Sequence, residues 1–93
     1  MPDAVTDEVV GRLRAEITRA DAEIVAALNR RVALVTELHA HKRASGYEVL
    51  DPAREERVLA DAAAANSGSL SDAGLREIYA VILPVCTREA ARS

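Results

Sequence analysis

The first feature that limits the fold is an uninterrupted helical pattern from about residue 6 to about residue 45. At about 1.5 Å per residue, roughly 39 residues extend for nearly 60 Å. A compact monomer of 93 residues is only about 30 Å across by domain scaling. A helix of that length cannot bury its apolar side on its own small domain. One partner chain would cover the excess, so the sequence predicts an intertwined oligomer.

Two segments break the pattern. The first runs from Ser45-Gly46 to Asp51-Pro52, where Gly46 suits a helix end and Asp51-Pro52 suits a cap followed by a first helical position. The second is Asn66-Ser67-Gly68-Ser69, with Ser71 as the next N-cap. They leave three helices, at about 6–45, 52–66 and 71–91, in a single all-α domain over residues 1–93. Composition agrees: aromatics are 2%, Phe and Trp are absent, and alanines run from Ala62 to Ala65, a mix that favours close-packed helices over sheets. A net charge of −3 gives no electrostatic footprint for nucleic acid. Cys86 is the one cysteine, so no internal disulfide forms, as in a reducing compartment. No apolar run reaches the length of a membrane span, and the polar, acidic start from Met1 to Glu8 does not read as a signal peptide. A cytoplasmic protein with no nucleic-acid or membrane partner is expected.

A seven-residue count from Val10 passes through Ile17, Ile24, Arg31 and Leu38. This is an apolar stripe with an arginine in its middle. The neighbouring row is Arg14, Asp21, Leu28, Val35 and Lys42. At 100° per residue Lys42 lies about 20° around the helix from Arg31, three turns on. Both cations therefore share the face of Ile24, Leu28, Val35 and Leu38, with Arg14 and Asp21 at its margin. A single arginine in such a place reads as a snorkelling or ion-paired residue. Two inward cations and a third at the edge are a different matter, because buried charge costs several kcal/mol unless paired. Asp21 cannot serve all three, and a dianionic small molecule would supply the missing charge. In the next helix Asp51 reads as a cap and Glu55 as a complement to the helix dipole. Arg54, beside Val58, Leu59 and Ala62, sits where a cation is mildly unfavourable and an inward-facing charge is again possible.

Leu13-Arg14-Ala15-Glu16-Ile17, then Asp21, Arg31, Lys42 and Asp51-x-x-Arg54-Glu55 together resemble the all-helical AroQ chorismate mutases, over about residues 10–90. The resemblance implies an intertwined homodimer of three-helix subunits and the Claisen rearrangement of chorismate to prephenate, in aromatic amino-acid biosynthesis. It implies that Arg14 reaches into the partner subunit's site to bind a carboxylate, and that Arg31 binds one within its own subunit. Lys42 would touch a carboxylate and the ether oxygen, Arg54 would add positive charge, Glu55 would accept a hydrogen bond from the ring hydroxyl, and Asp51 would hold the helix entrance at the hydroxyl end. A pericyclic reaction needs neither nucleophile nor metal nor redox cofactor; it needs a held conformer and stabilised charge separation. Arginines answer two carboxylates, and a donor at the ether oxygen helps the transition state more than the ground state.

The third helix departs from the family pattern. Where the family usually places a serine and, four residues later, a glutamine or glutamate, this chain has Cys86 and Ala90. A thiol is a weaker hydrogen-bonding group than a hydroxyl, and alanine has none. Pro84 breaks a backbone bond and kinks a helix; a shifted register would aim Thr87 or Glu89 at the site, and Glu89 would serve the ether oxygen only if protonated, with a raised pKa. Three readings stay open: a chorismate mutase; a relative acting on 4-amino-4-deoxychorismate or eliminating pyruvate from isochorismate; and a weakly active or regulatory helical dimer that works with a partner synthase. His39 and His41, two residues apart, point about 200° from each other on a helix and cannot share a metal.

Overall fold

The computed structural model describes residues 7–49 and 51–92. They form three helices, α1 (Glu8–Ser45), α2 (Pro52–Ala65) and α3 (Asp72–Ala91), with no strand among the described residues. The ends differ slightly from the sequence pattern. Helix α1 begins at Glu8, with residue 6 outside the described residues; Asn66 and Ser71 are caps of α2 and α3 rather than their last and first turns.

Each boundary has a local cause. Asp7 starts α1: its Oδ1 accepts from the amides of Val9 at 2.8 Å and Val10 at 3.2 Å, satisfying two of the donors every helix start leaves open. Gly46 stops it. With φ at 78° it takes the left-handed conformation, so that its own amide reaches the Arg43 carbonyl at 3.3 Å and the Tyr47 amide reaches the Lys42 carbonyl at 2.8 Å. That pair of bonds is a Schellman closure. Asp51 caps α2 by accepting from the Arg54 amide at 3.1 Å, with Pro52 directly after it. Ser71 caps α3 through Oγ, which accepts from the Gly74 amide at 2.9 Å.

The chain divides into two units, Met1–Arg31 and Val32–Ser93. In the first, the described residues are the N-terminal part of α1, and none of them is buried. Val9, Leu13, Ile17, Ile24, Val25 and Leu28 are all exposed, Ile17 to 59%. Two polar side chains turn back on the helix itself: Thr18 Oγ1 donates to the Arg14 carbonyl and Asn29 Nδ2 to the Val25 carbonyl, both at 3.0 Å. A helix with an uncovered apolar stripe gains almost nothing from burial, and short isolated helices are marginal in water.

The second unit holds the end of α1 with α2 and α3, and α2 packs against α3. Val58, Leu59, Ala62 and Ala63 form the half-buried side of α2, and Leu75, Tyr79, Ile82 and Leu83 lie on that of α3. Among the described residues those buried are Cys86 and Ala90, both on α3. Small side chains let the helix axes approach closely, as the alanine-rich composition leads one to expect.

The Gly46 closure gives a first prediction. Gly46→Ala forces an L-residue into the left-handed region and lowers unfolding stability by about 1–2 kcal/mol. In urea titrations this appears as a lower midpoint at unchanged m. Gly68→Ala, where φ is not positive and a Cβ meets nothing within 4 Å, leaves the midpoint where it was or raises it slightly.

Candidate active site

The chain has twelve lysines and arginines. Ten of them are exposed; Arg31 and Lys42 are half-buried. Arg12, Arg54, Arg57, Arg76, Arg88 and Arg92 each have a carboxylate within 4.0 Å. Among the described residues Arg31 and Lys42 have none. The two cations most withdrawn from water are therefore without a counter-charge, a costly state that an incoming anion relieves.

In the first unit, Arg14 is exposed, and Asp21 makes no ion pair among the described residues. Asp21 is thus no partner for Arg14: seven residues separate them by about 10 Å of rise. In the second unit the half-buried face of α1 runs through Val32, Val35, Thr36, His39 and Lys42. Leu38, read as part of the inward stripe, is instead 48% exposed. His39 replaces it beside Lys42, one turn earlier, while His41 is exposed. Thr36 Oγ1 donates to the Val32 carbonyl at 2.9 Å, so this face offers Lys42 as its one charged donor.

At the start of α2, Asp51 does two things. Its Oδ1 caps the helix, and its Oδ2 lies 3.7 Å from the Arg57 guanidinium. Arg57 carries no signal of this in the sequence, because a cap-to-second-turn pairing is not one of the three- or four-residue spacings that helical patterns reveal. Arg54 differs from the inward charge its neighbours suggested: it is exposed and reaches Asp61 at 4.0 Å. Its first-turn position gives it free access to water on α2, so nothing holds it against the apolar strip. Glu55, exposed in the same turn, has its carboxylate free of ion pairs among the described residues.

On α3, Cys86 and Ala90 are 2% and 5% exposed. The helix continues through Pro84 to Ala91, and the residues one step around are placed elsewhere. Thr87 Oγ1 is engaged with the Leu83 carbonyl at 3.1 Å. Glu89 is gripped by Arg92, whose Nη1 donates to both carboxylate oxygens at 2.7 and 3.0 Å, and Arg88 stands 3.6 Å away. The Arg92 hydrogen bond holds the Glu89 carboxyl below its ordinary range, against a smaller upward push from desolvation. A protonated Glu89 donating to an ether oxygen needs the opposite shift. An apolar groove on α3, lined by Leu70, Gly74, Glu77, Ile78, Val81 and Ile82, carries an acid and no cation, so it suits no dianion.

These placements acquire a class when the chain is compared with known proteins. The model of the family "chorismate mutase type II" matches residues 13–90. A solved structure of chorismate mutase, form II, from Thermus thermophilus is similar at a TM-score of 0.85 and 31% identity, over 92% of this chain and 98% of that one. No curated protein sequence matches. The family match and the similar structure thus define an all-helical isomerase. The chain belongs to the chorismate mutase type II family, and its activity is the conversion of chorismate to prephenate. No helix among the described residues is long and apolar enough to cross a membrane.

Glu89 supplies a prediction. In a carboxyl-carbon NMR titration, Glu89 titrates below an ordinary glutamate, and Arg92→Gln moves it upward. A depressed folded pKa gives stability that is present above the unfolded value, about 4.3, and disappears as pH falls through the folded one. Arg92→Gln should accordingly flatten the acid limb of the stability profile. An unmoved Glu89 resonance would contradict the assigned cause.

Proposed function

We propose that residues 1–93 act as one catalytic domain that a second copy of the chain completes, and that Arg31 and Lys42 are its principal charge-bearing groups. The observation that carries this is their exceptional state among the twelve cations: half-buried and unpaired. Their spacing in the sequence, at the period of one helical face, supports assigning both to one substrate. Chorismate brings two carboxylates and needs no cofactor for its rearrangement.

In this reading Arg31 binds a substrate carboxylate bidentately. Lys42 contacts a carboxylate and the ether oxygen, where negative charge grows as the C–O bond breaks and the new C–C bond forms. Arg14, from the partner subunit, closes over the second carboxylate. Its exposure in the single chain and the uncovered stripe around it support a role across an interface. Arg54 adds positive charge, Glu55 accepts a hydrogen bond from the ring hydroxyl, and Asp51 holds the entrance to α2 by capping it. Cys86 and Ala90 line the α3 side. The protein is placed in the cytoplasm, in aromatic amino-acid biosynthesis. Chorismate and a second copy of the chain are the partners the reading needs; a partner synthase is an additional activator it allows.

Purified protein should consume chorismate and yield prephenate. Arg31→Ala and Lys42→Ala each lower kcat/KM by at least about 10²-fold at near-native helicity. Consumption of 4-amino-4-deoxychorismate or isochorismate with no turnover of chorismate would defeat the substrate assignment. The shared site has its own test. Arg14→Ala and Arg31→Ala, each inactive alone, are unfolded together and refolded as a 1:1 mixture. Each mixed dimer then holds one intact site, and activity returns to about one quarter of wild type. A mixture as inactive as its parents would place Arg14 outside its partner's site.

A further inference from the structure

The interior of α3 contains two devices that work against a straight helix. Pro84 has no amide to donate to the Ala80 carbonyl four residues back, and its ring crowds that carbonyl. Pro84 and Ala80 are both exposed, so burial does not offset the cost. On the same turn, Thr87 Oγ1 donates to the carbonyl of Leu83 at 3.1 Å, the residue just before the proline. A threonine bonded back in this way also bends a helix. Cys86 lies between them and Ala90 three residues beyond, at 2% and 5% exposure.

The direction of such a bend follows from the register. Pro84 and Cys86 are two residues apart, which puts them about 160° from each other around the axis. Helices bend convex toward the side whose carbonyls lose their donors. A bend at Pro84 therefore tilts the last turns of α3 toward the face that carries Cys86 and Ala90.

We propose that Pro84 and Thr87 are positioning residues that tilt the C-terminal turns of α3 and so set Cys86 and Ala90 against the substrate. The proposal rests on the assignment of Cys86 and Ala90 to the active site. Neither Pro84 nor Thr87 touches substrate; both act through the direction of the helix.

Pro84→Ala provides the test, since alanine is the better helix former and the variant folds. Its Tm should rise by at least about 4 °C. Its kcat/KM for chorismate should fall by about 10-fold or more, with Cys86 reacting faster with the thiol reagent 5,5′-dithiobis(2-nitrobenzoate). Thr87→Val should lower kcat/KM in the same sense, and Thr87→Ser, which keeps the hydroxyl, should restore it. A more stable Pro84→Ala variant with unchanged kcat/KM and unchanged Cys86 reactivity overturns the proposal. So does a loss of activity that accompanies a change in oligomeric mass, because assembly would then be its cause. If the wild-type protein fails to turn over chorismate, the functional reading fails on that result alone, and the Cys86 reaction rate still decides whether Pro84 sets the direction of α3.

Discussion

The apolar stripe of α1 is the constraint on which the rest depends. None of the helix's 38 residues is buried, yet Val9, Leu13, Ile17, Ile24, Val25 and Leu28 recur at the spacings of a packed face. Burying one such side chain is worth about 1.5–3 kcal/mol, so the six together are comparable with the whole stability of a small domain. A helix with strong caps at Asp7 and Gly46 still gains most of its stability from what covers it. In the proposed dimer that cover is a second copy, and the need to bury the stripe is then also what brings Arg14 to the other subunit. Fold stability and site assembly have a common origin in this arrangement.

Charge placement follows from the same stripe. Elsewhere on the surface, six cations meet carboxylates at exposed positions, where an ion pair contributes little. Arg31 and Lys42 are partly withdrawn from water without that compensation. In the proposed site they are preorganised: the desolvation cost is met at folding, and a dianionic substrate finds donors that need not reorganise. The reaction asks for this and little else, since bonds break and form within one molecule and the protein's part is to hold a conformer and answer developing charge.

Much of this was legible in the sequence because the signals are local. Asp51-Pro52, Ser71 and Gly46 mark helix ends through hydrogen bonds within a few residues, and the structure places the ends there. The inward bias of Arg31 and Lys42 follows from a period of 3.6. Less legible was the exact face of α1 that is covered. Leu38 and His39 differ by one step around the helix, and hydrophobicity favours Leu38, but His39 is the half-buried one. Arg54 was unreadable for a related reason: beside an apolar strip, an arginine in the first turn can lie along it or reach for water, and the sequence does not contain the choice. Glu89 shows the limit of reasoning by register, because its state is set by Arg92 three residues on rather than by the position a shifted register would give it.

In the proposed site the α3 side determines how the catalytic load is distributed. Cys86 is a weak hydrogen-bonding group and Ala90 none, so the buried end of α3 contributes shape more than polarity. In the proposed site a second donor at the ether oxygen is then missing, and transition-state stabilisation concentrates on Lys42. With fewer polar contacts, the conformer must be held by close packing, where small displacements are costly in rate. A small-residue wall is effective only if it stands at the right distance. In the proposed arrangement the path of α3 through Pro84 is then part of the chemistry: where side chains offer little, the backbone that carries them has to be aimed.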